Sequence, residues 1–244
     1  MPEPATLTAH AVTKTYGSAA ATTTALAGVD LTIHPGESVA VMGPSGSGKT
    51  TLLHALAGIV RPTSGEVVWR GRRLGALSDA DRTALRRTDF GFVFQSGQLL
   101  PELPADENAA LPLMLRGTAR TEAVATARRW LAWLGLAGME GRRPGELSGG
   151  QAQRVAVARA MVASPGVIFA DEPTGALDQA SGQEVLRVLT GAAHGTGAAL
   201  VVVTHDEQVA RWCSRVIGMR DGRVVSESRN GAAPAATAGP VVAR

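Results

Sequence analysis

The stretch from Gly43 to Thr51 decides the fold; it reads Gly-Pro-Ser-Gly-Ser-Gly-Lys-Thr-Thr and fits the pattern G-x-x-x-x-G-K-[ST]. Residues 37–42 before it suit a buried strand, and residues 49–57 suit a helix. A strand, a glycine-rich loop and a helix, in that order, are the setting in which this pattern forms a phosphate-binding loop, or P-loop. The sequence therefore predicts an α/β protein with a nucleotide site at the end of this strand. The alternative is a Gly/Ser-rich turn before an ordinary helix.

The residue types of this loop suit a polyphosphate. Its glycines let successive backbone N–H groups point inward at an anion, and the following helix directs its positive end to the same point. Lys49 adds a compact charge for the outer phosphates, and the Thr50 hydroxyl can bind Mg²⁺. The chain has 24 Lys plus Arg, but only Lys14 and Lys49 are lysines. The candidate phosphate-binding residues are Gly43, Pro44, Ser45, Gly46, Ser47, Gly48, Lys49, Thr50 and Thr51.

Composition limits the class of protein. The 244 residues are 45% hydrophobic, which is ample for a core, and carry a formal net charge of +3. Basic residues are scattered, so no nucleic-acid partner is predicted. Cys213 is the single cysteine, which excludes a disulfide framework and indicates a reducing compartment. We see no signal peptide and no apolar run as long as a membrane span, so we expect a cytoplasmic protein, soluble or docked to a membrane through another chain.

Periodicity and turn residues predict the remaining elements. Strands are predicted at residues 26–33, 67–70, 90–94, 167–170 and 198–203, and a terminal hairpin at 216–219 and 223–225 around the turn Asp221-Gly222. Helices are predicted at residues 78–87, from 121 onward, at about 150–163 and at about 181–189. Residues 18–24 are predicted to be a flexible hairpin tip. The helix-rich block 105–162 is interpreted as a helical insertion, with Val124, Ala127, Trp130, Leu131 and Leu134 along one helix face.

Polar residues follow several predicted strands. Asp171 and Glu172 close strand 167–170, where two adjacent carboxylates are costly unless a positive partner such as a Mg²⁺–nucleotide complex lies close. Asp171 would then bind the metal and Glu172 would polarise the attacking water. His205 could sense a γ-phosphate, and Gln95 could bind Mg²⁺ or position water. Solvated acids, a structural histidine and a surface amide are the alternatives.

Two further segments could contact a nucleotide. Tyr16, the only tyrosine, could pack on the core or could stack on a base, which contributes about 1–3 kcal/mol per base. Leu147-Ser148-Gly149-Gly150-Gln151 can begin a helix with Ser148 as its cap. The bare N–H groups at such a start form a second anion site, and an ordinary capped helix is the alternative.

The order of these segments resembles the ATP-binding cassette (ABC) ATPases over about residues 7–228. The matching segments are Tyr16, Gly43–Thr51, Gln95, Leu147–Gln151, Val167–Glu172, Ala176–Asp178 and His205. They correspond to the family's aromatic loop, Walker A, Q-loop, signature, Walker B, D-loop and H-loop. Walker A alone occurs in many NTPases, whereas the signature followed by an Asp-Glu strand end and a histidine is very specific.

The resemblance implies a P-loop NTPase fold with a RecA-like α/β core, an antiparallel β subdomain and an α-helical subdomain. The ATPase domain would span residues 6–228, with the helical subdomain inserted at about 96–162. Residues 229–244 are rich in Ala, Gly and Pro and are expected to be a disordered tail.

The resemblance also implies the cofactors, the site residues and a head-to-tail homodimer. Ser148, Gly149 and Gly150 of one chain would close over the partner's P-loop, and Gln151 and Asp178 are further candidate ATP-binding residues. ATP and Mg²⁺ are the implied cofactors. The candidate metal ligands are Thr50, Gln95 and Asp171, and the candidate catalytic residues are Glu172 and His205.

A finer resemblance concerns the branch of lipoprotein-release, macrolide-export and cell-division ATPases, which work with FtsX-like permeases. It is carried by Val41–Gly48, by Phe92–Ser96 with Leu99–Pro101, and by Asp171–Gly175. Three positions depart from that pattern. Ala152 and Ala176 replace a usual Gln and Asn, and Gly166 stands where a larger residue is common.

The resemblance therefore predicts an ATP-hydrolysing subunit of an ABC transporter that energises a separate FtsX-like permease for export or extrusion. It would lie at the cytoplasmic face of the cell membrane and reach the membrane only through that permease. One alternative is the ATPase of a permease-like complex that regulates a cell-envelope process. A soluble ABC ATPase acting on DNA or ribosomes is disfavoured, because the chain has one cassette, one cysteine and no heptad run.

Overall fold

The computed structural model describes residues 7–18 and 21–230, in which the strands form two sheets. The strands are β1 Leu7–Ser18, β2 Ala21–Ile33, β3 Ser38–Met42, β4 Ser64–Trp69, β5 Arg72–Arg73, β6 Phe90–Phe94, β7 Val167–Asp171, β8 Ala199–Val203, β9 Arg215–Arg220 and β10 Arg223–Arg229. The α-helices are α1 Lys49–Leu56, α2 Asp79–Thr88, α3 Ala105–Met114, α4 Arg120–Trp133, α5 Gly149–Met161, α6 Gln179–Thr196 and α7 Glu207–Ala210. No helix in these ranges is long and apolar enough to cross a membrane.

The larger sheet has the strand order β10-β9-β3-β8-β7-β6 and is parallel except for β10 at its edge. Its inner strands are short apolar runs, and every residue of β8 is buried. Such runs suit a parallel sheet that is covered on both faces. The predicted strands at 90–94, 167–170 and 198–203 are confirmed within one residue at each end.

The register of this sheet brings the predicted site residues together. Val203 of β8 pairs with Val41 of β3 on one side and with Asp171 of β7 on the other, and Asp171 also pairs with Phe94 of β6. The carboxyl ends of four parallel strands therefore lie in one row. Within two residues after that row come the start of the P-loop, Gln95, Glu172 and His205. The topology therefore places all of them along one edge of the sheet.

The smaller sheet is antiparallel, with the strand order β2-β1-β4-β5. Helix α1 contributes Leu52, Leu53 and Leu56 to the apolar core that this sheet shares with one face of the larger sheet. Each of these leucines is at most 1% exposed, which contributes about 1.5–3 kcal/mol per side chain. The helix that follows the P-loop is thus held firmly by its apolar face.

Three helices, α3, α4 and α5, follow β6 and precede β7, as predicted for the helix-rich block. Along α4 and its end, Ala127, Trp130, Leu131 and Leu134 are at most 1% exposed, so the predicted apolar face is confirmed there. Val124 of the same face is partly buried against the core. Division of the chain into subdomains remains a prediction.

The interface between the two sheets explains one departure from the family pattern. A Cβ added to Gly166 would lie 2.7 Å from Cζ2 of Trp69, so the indole ring fills the space that a side chain at 166 would need. The Trp69 indole N–H donates to Asp89 Oδ1 at 3.2 Å, and the Gly166 N–H donates to Asp89 O at 2.8 Å. Glycine at 166 is therefore matched to tryptophan at 69.

Two predictions on local structure are wrong. The predicted helix at 181–189 extends from Gln179 to Thr196, because its second half buries Ala192 and Ala193 and its hydroxyls bond back to helix carbonyls. The helix ends at Gly197, which has φ 70°. Most of the predicted hairpin tip is strand: β1 and β2 pair as far as Ser18 and Ala21, and residues 19–20 lie outside the described residues.

The described chain continues two residues beyond the predicted boundary at 228. Strand β10 runs through Arg229. The Asn230 amide donates to Ala210 O at 3.0 Å and to Cys213 O at 2.8 Å, which ties the end of β10 to α7. The rest of the predicted tail, residues 231–244, lies outside the described residues, as does residue 6 at the predicted start of the domain.

Candidate functional site

The P-loop connects β3 to α1 and is closely surrounded by backbone. A Cβ added to Gly43 would lie 2.2 Å from Met219 O, and a Cβ added to Gly48 would lie 2.2 Å from Ala25 O. Gly48 also has φ 97° and is the N-cap of α1, with no side chain covering the helix start. The first N–H groups of α1 therefore remain open to an anion.

Lys49 lies inside this loop. Its Nζ donates to Gly43 O at 2.8 Å and to Pro44 O at 2.9 Å, and the residue is 9% exposed. An ammonium has three N–H donors, so two hold the loop and one remains for a ligand. A buried cation beside open helix N–H groups is suited to a polyphosphate.

A cavity of about 620 Å³ opens in front of the loop. It is lined by Ala25, Ser45, Gly46, Gly48, Lys49, Thr50, Thr51, Glu172, Val203 and His205. The P-loop forms one side, and the residues that follow β7 and β8 form the other. Eight of the predicted site residues thus meet in one cavity, with Glu172 and His205 facing the loop.

The Glu172 carboxylate is held at both oxygens. His205 Nδ1 lies 2.8 Å from Glu172 Oε1, and the Thr204 hydroxyl donates to Oε2 at 3.3 Å. Glu172 itself has φ 47°, a left-handed conformation that costs a residue other than glycine about 1–2 kcal/mol. Its N–H donates to Val203 O at 2.9 Å, and its carbonyl accepts from Gly175 N at 3.0 Å. Strain at a residue so firmly held is typical of a functional site.

Asp171 and Thr50 form a second polar pair, at the side of the cavity. The Thr50 hydroxyl donates to Asp171 Oδ1 at 3.4 Å. Burial raises the pKa of Asp171, and the hydrogen bond from Thr50 opposes that rise. A hydroxyl and a partly desolvated carboxylate are hard oxygen donors that suit Mg²⁺. The two residues fit a metal ion bound beside the outer phosphates.

Gln95 lies at the end of β6 but does not line the cavity. Its amide packs against Gly175, where an added Cβ would lie 2.8 Å from Nε2. The segment after it is fixed by Arg159, which donates to Gly97 O at 2.6 Å and Gln98 O at 2.7 Å. Burial lowers the pKa of Arg159. Gln95 is thus near the site and linked to α5, without reaching the P-loop.

Tyr16 also lies outside the residues that line the cavity. The residue is 43% exposed, and Lys14 Nζ is 5.0 Å from the ring centroid. The interpretation of Tyr16 as a core residue is wrong, because the ring is neither buried nor part of the apolar cluster around β1. An exposed aromatic face with a cation beside it remains available for a ligand.

The segment Ser148–Gln151 is separate from the cavity in this chain. Ser148 Oγ accepts from Gln151 N at 3.3 Å, and Gln151 Oε1 accepts from Ser148 N at 2.9 Å, which is a capping box at the start of α5. An added Cβ at Gly149 would lie 3.1 Å from Leu177 Cδ2, and one at Gly150 would lie 3.2 Å from Ser181 Cβ. The predicted Ser-capped helix is confirmed, and its start packs on the D-loop side.

Asp178 caps α6 rather than facing the P-loop. Its Oδ1 accepts from Ser181 N at 3.0 Å. Hydrogen bonds from Ser181 lower the pKa of Asp178. Both Ser148 and Asp178 are exposed, so a second chain could contact them.

Sequence reasoning missed several residues that shape the site. Ala25 and Val203 line the cavity without any distinctive sequence signal. Thr204 contacts Glu172 through its hydroxyl, although its position beside His205 could have indicated it. Gly222 donates its N–H to Ser47 O at 3.1 Å and accepts from Ala27 N at 2.9 Å. The sequence predicts Asp221-Gly222 as a hairpin turn, but it contains no signal that this turn supports the P-loop.

Comparison with known proteins identifies relatives of this cassette. A family model described as ABC transporter matches residues 26–175. The lipoprotein-releasing system ATP-binding protein LolD of Rhodopseudomonas palustris (strain BisB5) is 46% identical over 216 residues, which cover 88% of this chain and 93% of that protein. The macrolide export ATP-binding/permease protein MacB of Bradyrhizobium diazoefficiens is 50% identical over 214 residues. These residues cover 88% of this chain but 33% of that protein, so the chain spans about a third of such a relative.

Solved structures show the same architecture. The ATP-binding cassette MJ0796, in a dimeric post-hydrolysis state bound to ADP and Pi, aligns with a TM-score of 0.84 and 40% identity. The alignment covers 93% of this chain and 99% of that one. The cassette cbiO1 from Clostridium perfringens, part of an ABC transporter complex, aligns with a TM-score of 0.81 and 27% identity, over 91% of this chain and 88% of that one. The predicted fold class and the resemblance to the LolD and MacB branch are confirmed.

Proposed function

Since this chain belongs to the ABC transporter family, in the branch of ATP-binding subunits that includes LolD and MacB, we propose that it hydrolyses ATP at the cavity facing its P-loop. The energy of hydrolysis drives a membrane permease carried on a separate chain. The observation that carries the proposal is the Glu172 carboxylate, held by His205 at 2.8 Å across the cavity from Lys49.

The P-loop binds the phosphates of ATP. Its open N–H groups and the Lys49 ammonium face the negative charge of the β- and γ-phosphates. Thr50 and Asp171 would hold Mg²⁺, and Gln95 would be a further oxygen ligand. When bound, Mg²⁺ neutralises charge that develops on the phosphate oxygens during transfer. Thr51, Ser45 and Gly46 line the same wall and complete the cradle.

Glu172 and His205 carry the chemistry. The carboxylate accepts a hydrogen bond from the attacking water and so orients the water towards the γ-phosphorus. His205, whose side chain is exposed and adjacent to the carboxylate, contacts the γ-phosphate and keeps Glu172 in place. Tyr16 stacks on the adenine, because its exposed ring lies on the β1 hairpin whose partner strand supplies Ala25 to the cavity.

A second copy of the chain completes each site. The segment Ser148–Gln151 lies apart from the cavity of its own chain. The capping box occupies the N–H groups of Ser148 and Gln151, so the N–H groups of Gly149 and Gly150 are the ones left at the helix start for a ligand. In a head-to-tail dimer these groups close on the γ-phosphate bound to the partner's P-loop, with Asp178 beside them. ATP closes the dimer and hydrolysis opens it. The relative MJ0796 was solved as a dimer, which supports this arrangement.

Replacing the proposed base tests the hydrolytic role. Glu172→Gln keeps the size of the side chain but cannot accept a proton, so kcat falls about 10²- to 10⁴-fold while ATP still binds. The measurement is steady-state phosphate release, together with the affinity for a fluorescent ATP analogue. Glu122→Gln, on the exposed start of α4, is the matched control and retains wild-type turnover. Wild-type turnover in Glu172→Gln would contradict the assignment.

The permease partner is of the FtsX type, and the complex works in export or extrusion. The finer sequence resemblance supports this choice, as do relatives named for lipoprotein release and macrolide export. Affinity purification of the tagged chain from its host membrane tests the partner. Recovery of a four-span permease with a large external domain supports the proposal, and recovery of the same permease with cell-envelope regulators favours a regulatory complex. Recovery with ribosomes or DNA alone would contradict both.

A further inference from the structure

Thr204 makes a contact that no catalytic role in the ABC cassette described above requires. We propose that Thr204 is a positioning residue, which holds the Glu172 carboxylate in the orientation that activates water. The proposal rests on the proposed role of Glu172 in hydrolysis. Thr204 is not itself among the residues that line the cavity, and Glu172 is the lining residue that its hydroxyl contacts, so we expect its side chain to act through Glu172.

The hydroxyl of Thr204 is confined to protein partners. The residue is 1% exposed, so water does not compete for its proton. Its Oγ1 accepts from Asp206 N at 3.1 Å, which fixes where the oxygen lies. The hydroxyl proton is then directed to Glu172 Oε2, 3.3 Å away. A buried hydroxyl fixed at one side in this way is a directional donor rather than a freely rotating one.

The backbone reinforces the contact. Val203, the residue before Thr204, accepts a hydrogen bond from Glu172 N at 2.9 Å. The carboxyl ends of β7 and β8 are therefore joined twice, once through main chain and once through side chains. Glu172 needs this support, because it departs from the strand in a left-handed conformation with φ 47°.

Each oxygen of the Glu172 carboxylate has one protein partner, and the remaining lone pairs are left for the attacking water. Thr204 occupies one site on Oε2, and His205 lies at Oε1. His205 is exposed and is expected to move when a γ-phosphate arrives, whereas Thr204 is buried and stays. The Thr204 hydroxyl then keeps the Glu172 carboxylate in its orientation while His205 changes partner. Loss of this hydroxyl would reduce the rate of hydrolysis without weakening ATP binding.

The test uses two substitutions at this position. Thr204→Val has nearly the same shape but no hydroxyl, and Thr204→Ser restores the hydroxyl. We expect Thr204→Val to lower kcat about 10- to 100-fold, as for a misplaced catalytic group, with KM unchanged within about twofold. Thr204→Ser should recover most of the turnover. Unchanged kcat in Thr204→Val would overturn the proposal.

Asp206→Ala is the control for the turn that follows Thr204, because it keeps the Asp206 N–H that donates to Thr204 Oγ1. Asp206 Oδ1 caps α7 by accepting from Gln208 N at 2.7 Å, so its loss loosens the same turn but leaves Thr204 beside Glu172. This variant should keep kcat within about threefold of wild type, since a helix cap contributes only about 1 kcal/mol to local stability. A loss equal to that of Thr204→Val would assign the effect to the turn and overturn the proposal.

The lifetime of the ATP-bound dimer distinguishes a positioning role of Thr204 from a general loss of stability. If hydrolysis alone is slowed, the ATP-bound dimer of Thr204→Val lives longer than that of wild type, as measured by size-exclusion chromatography after ATP addition. A merely destabilised chain would form less dimer, and that outcome would overturn the proposal.

Combining Thr204→Val with Glu172→Gln should lower kcat no further than Glu172→Gln alone. If wild-type protein fails to hydrolyse ATP, the proposed function itself fails, whereas an active wild type with an unaffected Thr204→Val refutes only the role of Thr204.

Discussion

Single residues carry much of the chemistry, and the two lysines allow a matched comparison. Lys49 is buried with its ammonium between two P-loop carbonyls, whereas Lys14 lies on β1 and donates to Arg61 O at 3.0 Å. An arginine fork is too wide for the space inside the loop. Lys49→Arg should therefore weaken ATP binding at least about tenfold, which corresponds to 1.4 kcal/mol. Lys14→Arg should leave it within twofold, as measured with a fluorescent ATP analogue, and equal losses in both variants would contradict this account.

Cys213 makes stability depend on pH. Burial raises the pKa of its thiol from 9.0 to about 12, so the unfolded chain ionises first as the pH rises. Between these values the unfolded state releases a proton that the folded state keeps, and the free energy of unfolding falls by about 1.4 kcal/mol per pH unit. Below pH 9 the thiol is neutral in both states and has no such effect. Urea unfolding of wild type and Cys213→Ala at pH 8 and pH 10 should show a difference that changes with pH; a constant difference would contradict the expectation.

Among the elements, the β9–β10 hairpin supports the P-loop from behind. Gly222 and Gly71 both lie in turns with nearly the same φ, 72° and 74°. A Cβ at Gly222 would lie 2.8 Å from Ala25 O, whereas a Cβ at Gly71 would meet nothing within 4 Å. The two Gly→Ala variants therefore share the conformational cost of about 1–2 kcal/mol and differ in the clash.

Gly222→Ala should be the more destabilising of the pair and should also weaken ATP binding, because it displaces Ala25 or the loop peptide at Ser47. Thermal unfolding and nucleotide titration of both variants check this. Equal stability and equal affinity in the two variants would show that the hairpin does not support the loop.

Elements also show what the sequence could and could not predict. The strand ends were predictable, because short apolar runs closed by Gln95, Glu172 and His205 mark buried parallel strands. The length of α6 was not predictable. Thr190 and Gly191 have low helix propensity and interrupt the apolar pattern of the helix, but the burial of Ala192 and Ala193 after them outweighs that low propensity. Contacts such as that of Gly222 with Ser47 join segments far apart in the chain. A single sequence contains no signal for such pairs.

At the scale of the whole molecule, each site is expected to combine two chains. Ser148→Arg blocks the signature segment Leu147–Gln151, and Lys49→Ala removes the ammonium that contacts the phosphates. Each variant alone should be inactive. In a mixed dimer one site would combine an intact P-loop with an intact signature segment, so an equal mixture should recover up to about a quarter of wild-type activity if the sites act independently.

The control for this mixing experiment is a pair of variants in the same half-site. Lys49→Ala and Glu172→Gln both affect the half that contains the P-loop, so no arrangement of the two chains gives an intact site. Their mixture should stay inactive. Phosphate release measured over a range of mixing ratios distinguishes the two cases. Absence of recovery with Ser148→Arg would argue for a site completed within one chain.

Gly166 and Trp69 have a consequence for engineering hybrids of this chain with its relatives. The indole of Trp69 occupies the volume above residue 166, and Asp89 fixes both partners. Position 166 therefore cannot accept a bulky residue from a relative unless position 69 changes to a smaller one in the same step. The two positions form an interdependent pair across the sheets, and a chimaera whose crossover point separates them inherits either a collision or a void.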